Sequence, residues 1–247
     1  MSGDSERKLW SWFSPAIDRE LSVARWGFYG KPVIFFPTGG GDFLDCERFL
    51  MVKALSPLID AGKIKLYAVD SVCRWSWTSR EVAPPAKAAL QVRYDAYLVN
   101  ELFPFIRADC GGTDQKFAVA GASLGGFNAI NAAAKHPEWI DQMVGMSGTY
   151  ILDRKMEGYW DKNYYYNNPF QFLQNLAEGE QLRLLRQSRF LMARGGGPHE
   201  NPDYPIRMSR VFAARGIPHR VEVWGRDADH DWPTWRTMLP LFLKKSL

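Results

Sequence analysis

A serine, a histidine and two carboxylates stand far apart in this 247-residue chain, yet each has surroundings suited to acyl transfer. The serine is Ser123, within Gly121-Ala122-Ser123-Leu124-Gly125-Gly126. The apolar run Lys116 to Ala120 precedes it, and an alanine-rich helical pattern, Phe127 to His136, follows and closes at Pro137. Strand, Gly-x-Ser-x-Gly, helix is the context in which this motif makes a sharp turn that exposes a hydroxyl above a parallel sheet. Only small residues fit beside the serine in such a turn. The helix behind it directs backbone N–H groups and a positive dipole end at a developing oxyanion. A glycine-rich turn with an incidental serine would leave the flanking strand and helix unexplained. Ser123 is therefore the candidate nucleophile.

A serine hydroxyl is a weak nucleophile at neutral pH and needs a base within hydrogen-bond reach. Four histidines are available, so elimination works. His136 ends the helix after the elbow, where a cationic residue suits the dipole. His219 precedes the last strand and reads as a surface residue. His199 occupies the loop after the penultimate strand, where an acid is expected. His230, in Gly225-Arg226-Asp227-Ala228-Asp229-His230-Asp231-Trp232, lies between the last strand and the last helix, a loop that returns over the elbow. It is the candidate base. Asp227, Asp229 and Asp231 are too close in sequence to orient it and read as residues that shape the loop.

The orienting acid belongs after the penultimate strand, giving the order Ser, acid, His. Gly195-Gly196-Gly197-Pro198-His199-Glu200-Asn201-Pro202-Asp203 offers Glu200 and Asp203. Glu200 is nearer the strand end and follows glycines that let the backbone turn inward, whereas Asp203 suits the entry of the next helix. For the oxyanion, one donor is the amide of Leu124. The other is expected from Gly40 or Gly41 in Pro37-Thr38-Gly39-Gly40-Gly41-Asp42, with the Asp42 amide as an alternative. No Gly-Lys-Ser/Thr follows that loop, which sets it apart from a phosphate-binding loop.

The elements that must hold these residues are legible as apolar runs. Leu9–Phe13 and Leu21–Trp26 predict two early strands, paired antiparallel at an edge. Pro32–Phe36, Ile64–Val69, Lys116–Ala120, Gln142–Met146, Arg189–Ala193 and Arg220–Trp224 predict buried strands. Helical patterns separate them: Cys46–Ala61, with Pro57 expected to kink or divide it; Lys87–Arg107, with Pro104 expected to break it near its end; the elbow helix; a helix up to Arg215; and Trp232–Lys245. Strands alternating with helices imply a mainly parallel sheet covered on both faces. The aromatic stretch 149–187, with Tyr159, Trp160 and Tyr164 to Tyr166, reads as an insertion over the site. Together with Trp75 and Trp77, it is expected to form a lid or acyl pocket. The whole chain, 1–247, reads as one domain.

Composition narrows the function. The net charge is only +4, with dispersed lysines and arginines, so neither a nucleic-acid partner nor a membrane partner is expected. No apolar run approaches a membrane span. Three scattered cysteines suggest reduced thiols, and the charged start, Met1 to Lys8, lacks the apolar core of a secretory signal, so a cytoplasmic location is expected. The histidines have no metal-ligand spacing, and no metal or cofactor is expected.

On Gly121 to Gly126, on Arg93 to Pro104 (Arg-Tyr-Asp-Ala-Tyr-Leu-Val-Asn-Glu-Leu-Phe-Pro) and on Gly225 to Arg236 with His230-Asp231-Trp232, the chain resembles the esterase group of the α/β-hydrolase superfamily. That group includes esterase D-like S-formylglutathione hydrolases, enterochelin esterases and mycolyltransferases. The resemblance spans roughly residues 30 to 245. It implies an α/β-hydrolase fold and a Ser123, Glu200, His230 triad that hydrolyses a small-molecule carboxylic ester through an acyl-enzyme. The alternatives are acyl transfer to an alcohol or thiol on the same triad, or a non-catalytic binding protein that retains the fold.

Overall fold

The computed structural model describes residues 7–246; the expectation about a leader falls partly on residues 1–6, outside them. Eight strands make one sheet in the order β1-β2-β4-β3-β5-β6-β7-β8. They are β1 (Lys8–Ser14), β2 (Arg19–Trp26), β3 (Lys31–Phe36), β4 (Ile64–Val69), β5 (Phe117–Ala122), β6 (Ile140–Met146), β7 (Arg189–Arg194) and β8 (His219–Val223). β1 and β2 form the antiparallel edge expected of them, and β3 through β8 run parallel. All eight strands were therefore legible as apolar runs, to within a residue or two at their ends. β4 and β5 are buried along their whole length, as strands covered on both faces must be.

The helices divide between the faces. α2 (Met51–Asp60) and α11 (Trp232–Ser246) pack on one face through Met51, Leu55 and Ile59, and through Trp235, Met238 and Phe242. On the other face lie α3 (Pro84–Tyr97), α4 (Phe103–Asp109), α5 (Leu124–Lys135) and α10 (Asp203–Ala214), anchored by Tyr94, Phe103, Ile130 and Phe212. Stretch 149–187 forms four short helices, α6 (Asp153–Met156), α7 (Lys162–Tyr166), α8 (Pro169–Phe172) and α9 (Glu180–Leu185).

Pro57 does not divide its helix, and Pro104 does not break its own. The helix predicted over Cys46–Ala61 is divided at Leu50, in the left-handed region at φ 62°, into α1 (Asp45–Arg48) and α2, while Pro57 sits inside α2. A π-helical turn, Leu98–Leu102, joins α3 to α4, and Pro104 falls in the first turn of α4, where a missing N–H costs little.

Candidate active site

β5 ends at Ala122 and α5 begins at Leu124, leaving Ser123 alone in the turn at φ 55° and ψ −123°. A non-glycine residue there is strained, and the surroundings hold it in place. The Ser123 amide donates to the Met146 carbonyl at 3.0 Å, while its own carbonyl accepts from Gly126 at 3.1 Å and Thr149 at 2.9 Å. Three neighbouring positions admit no side chain. A Cβ on Gly121 would lie 2.3 Å from Gly125, one on Gly125 2.4 Å from the Phe36 carbonyl, and one on Gly126 2.9 Å from Gly148. The glycines of the motif are thus required by the close approach of α5 to β5, to β3 and to the turn after β6. Leu124 is the first residue of α5, so its amide is one of the donors an α-helix leaves unpaired.

The loop after β3 is built around a buried carboxylate. Asp45, 1% exposed, accepts from the Thr38 amide and hydroxyl through Oδ2 and from Arg48 through Oδ1. Burial raises its pKa, against those hydrogen bonds. A Cβ on Gly41 would lie 1.7 Å from Asp45 Oδ2. The Gly41 amide closes a turn onto the Thr38 carbonyl at 3.1 Å, so of the two glycines expected to donate, only Gly40 has its amide outside that bond. The turn lies against the elbow, since a Cβ on Gly39 would lie 2.9 Å from the Leu124 side chain.

The loops after β7 and β8 meet through glycine. The Gly196 amide donates to the Gly225 carbonyl and the Gly197 amide to the Ala228 carbonyl, both at 3.0 Å. A Cβ on Gly195 would lie only 1.8 Å from the Ala228 carbonyl oxygen. This backbone contact carries Glu200 to His230, with Oε2 3.8 Å from Nδ1. The Glu200 side chain is 2% exposed, and its Oε1 accepts from Ser147 Oγ at 2.5 Å and from the Gly195 amide at 3.0 Å. Burial favours the protonated carboxyl, but nearby His230 and the hydrogen bonds from Ser147 and Gly195 outweigh it, and the pKa lies below the ordinary glutamate value. Asp203 is exposed at the start of α10, where its amide donates to Asn201 Oδ1.

Ser147 and Trp235 were missed from sequence. Trp235 Nε1 donates to Ser147 Oγ at 2.9 Å, leaving the hydroxyl proton for Glu200, and the indole meets the His230 ring edge-on at 5.2 Å. Ser147 adopts φ 48° just after β6, and its amide is tied to the Ala193 carbonyl. The only sequence signal was a small Ser-Gly pair at a strand end. Asp229 shapes the base loop as expected, accepting from the amides of His230 and His199 and pairing with the His199 ring at 2.6 Å. His136 lies far from this cluster in its bonding, paired with Asp95 at the end of α5. Both ring nitrogens of His219 are engaged, with Ser209 and the Ile217 carbonyl. Ser123 and His230 lie at the same, carboxyl end of the parallel strands. Among the described residues, no hydrogen bond joins the Ser123 hydroxyl to the His230 ring.

The profile of the Putative esterase family matches residues 58–245, more than half of the chain. The chain belongs to that family. Solved structures agree on the fold. A ferulic acid esterase aligns with a TM-score of 0.74 at 17% identity, covering 99% of this chain and 100% of its own. The S-formylglutathione hydrolase of Agrobacterium tumefaciens aligns with a TM-score of 0.73 at 15% identity, covering 97% and 93%. The enterobactin esterase of Shigella flexneri reaches a TM-score of 0.64 at 16% identity, covering 98% of this chain and 60% of its own. Curated protein sequences gave no match. Family and fold together bear out the expected α/β-hydrolase architecture and esterase class. No helix among the described residues is long and apolar enough to cross a membrane, and no metal-holding cluster of His, Cys, Asp and Glu occurs among them.

Proposed function

We propose that this esterase hydrolyses a small carboxylic ester with Ser123 as nucleophile, His230 as base and Glu200 as orienting acid. The observation that carries the reading is the Glu200 carboxylate, buried, ionised and 3.8 Å from His230 Nδ1, on the loop that the chain order demands. In acylation, His230 Nε2 takes the Ser123 proton as Oγ bonds to the ester carbonyl carbon. Glu200 stabilises the imidazolium formed, and that imidazolium gives its proton to the departing alcohol. Water then repeats the sequence on the acyl-enzyme and releases the acid. The amides of Leu124 and Gly40 serve the oxyanion, with Gly41 closing the turn that aims Gly40.

Stretch 149–187 acts as a cap beside the nucleophile. Leu152, Met156 and Tyr164 from it pack with Leu124 and Phe127 of α5. Trp77 belongs to the same cluster but is 2% exposed, with its Nε1 bonded to Gln91 at 2.8 Å, so it supports the wall instead of lining a pocket. Trp75 packs on the main core away from this cluster, between Arg19 and Arg74. The free Cys46, Cys73 and Cys110 suit the reducing cytoplasm.

Hydrolysis of p-nitrophenyl esters of graded acyl length tests this reading. Wild-type turnover should fall by at least about a thousandfold in Ser123→Ala, as loss of a triad nucleophile does. A serine-reactive phosphonate should label the wild-type protein at Ser123. Turnover that survives in Ser123→Ala would remove the elbow from the mechanism.

A further inference from the structure

The turn that follows β6, Met146 to Thr149, reaches toward all three members of the proposed triad. On the nucleophile side, the Met146 carbonyl accepts from the Ser123 amide at 3.0 Å, and the Thr149 amide donates to the Ser123 carbonyl at 2.9 Å. Between these two, the Ser147 amide donates to the Ala193 carbonyl at 2.7 Å, near the end of the strand from which the Glu200 loop departs. The Ser147 side chain then meets the acid itself, with Oγ donating to Glu200 Oε1 at 2.5 Å. On the base side, Trp235 stands in the first turn of α11, directly after the His230 loop, and donates from Nε1 to the same Oγ at 2.9 Å.

These bonds leave the hydroxyl a single orientation. An indole N–H can only donate, so it occupies a lone pair of Ser147 Oγ and the one hydroxyl proton goes to Glu200. Glu200 Oε1 accepts from Ser147 and from the Gly195 amide at 3.0 Å, and two donors on one oxygen fix the plane of the carboxylate. Oε2 is left to face His230 Nδ1 at 3.8 Å. Hydrogen bonds to a charged acceptor are the strong ones, and these are shielded from water, with Ser147 7% exposed and the Glu200 side chain 2%. Ser147 also holds φ 48°, a left-handed conformation that serine adopts reluctantly. A turn that only satisfied its own backbone would be less strained with glycine there, so the hydroxyl has a use of its own.

We propose that Ser147 is a positioning residue of the esterase reaction. It holds the Glu200 carboxylate in the orientation that turns Oε2 toward His230, and Trp235 acts through it by directing the hydroxyl proton. This rests on the triad reading above, in which Glu200 stabilises the imidazolium. Both side chains work through the acid and not on the ester. Without Ser147 the carboxylate is free to rotate, and the imidazolium loses an aligned counter-charge at the stage when its charge develops. The loss falls on kcat and not on ester binding.

Hydrolysis of p-nitrophenyl butyrate by Ser147→Gly and Trp235→Phe tests this. Glycine removes the hydroxyl and suits the left-handed backbone, while phenylalanine keeps a ring beside His230 and removes the N–H. Ser147→Gly should lower kcat about tenfold, with KM within about twofold of wild type. Trp235→Phe should lower kcat by a smaller factor, and the double variant should be no slower than Ser147→Gly, because the indole acts through the hydroxyl. In a Glu200→Gln background, where the counter-charge is already gone, Ser147→Gly should change kcat by about twofold or less. Far-UV circular dichroism counts the folded fraction, so that each kcat refers to folded protein. Wild-type kcat in Ser147→Gly, beside a slow Glu200→Gln, would overturn the positioning role and leave the triad standing. An equal fall with and without the Glu200 charge would overturn it as well, since a purely structural role produces that pattern. Effects of the two single variants that multiply in the double would remove Trp235 from the relay. Wild-type turnover in Glu200→Gln would remove the acid from the triad, and the relay with it.

Discussion

At the scale of single residues, the proposed triad depends on how Glu200 is kept ionised. Its side chain is nearly out of contact with solvent, and burial alone would favour the neutral acid. Donors from His230, Ser147 and the Gly195 amide reverse that balance. Because the folded pKa lies below the ordinary 4.5, the carboxylate stabilises the fold fully above that value and loses its contribution as pH falls through the folded pKa. Glu200→Gln should therefore be less stable than wild type at pH 7, and the difference should shrink as the pH drops below 4.5, when wild-type Glu200 also becomes neutral. Urea unfolding at pH 7 and in that acid range measures both. The same variant should lower kcat by about tenfold or more, since an amide cannot stabilise the imidazolium as an anion does. A stability difference that grows toward acid pH would contradict the assignment.

At the scale of elements, the proposed acid and base are joined by backbone contact between the loops after β7 and β8, and this explains three consecutive glycines. At Gly195, a methyl group would meet the Ala228 carbonyl at 1.8 Å, a backbone atom that can retreat only by parting the loops. Gly195→Ala should cost on the order of 1–3 kcal/mol of stability, and it should lower kcat more than KM changes, because it moves Glu200 from His230. Gly40 is the contrasting case, with nothing within 4 Å of an added Cβ. Gly40→Ala should stay within about 0.5 kcal/mol of wild type. Urea midpoints and steady-state kinetics on the two variants check both statements. Comparable destabilisation by the two substitutions would show that the inter-loop contact is not special.

At the scale of the whole molecule, two apolar layers share a single sheet. Phe36, Val119 and Met143 face one layer, while Phe35, Ala120 and Val144 face the other, so each central strand contributes to both. Neither layer can be lost while the other keeps its strands. We propose on this ground that the chain unfolds as one domain. Scanning calorimetry should show one transition whose calorimetric and van't Hoff enthalpies agree. Two resolved transitions would divide the chain, with stretch 149–187 the first segment to examine.

What the sequence determined by itself was local: eight apolar runs long enough for strands, and the glycine spacing that forces a turn at Ser123. These follow from interactions among near neighbours, such as side-chain periodicity, the missing Cβ of glycine and the fixed φ of proline. Local reasoning erred over where two helices are interrupted. Leu50, and not Pro57, divides its helix, and a π-turn absorbs Pro104. What only the tertiary structure decided is which distant residues meet. Glu200 and Asp203 are three positions apart and alike in sequence, but the glycine contact with Ala228 delivers only Glu200 to His230. Ser147 and Trp235 carry no motif, because the bond between them joins residues 88 positions apart. Burial is a property of the folded surface, so no window along the chain contains it.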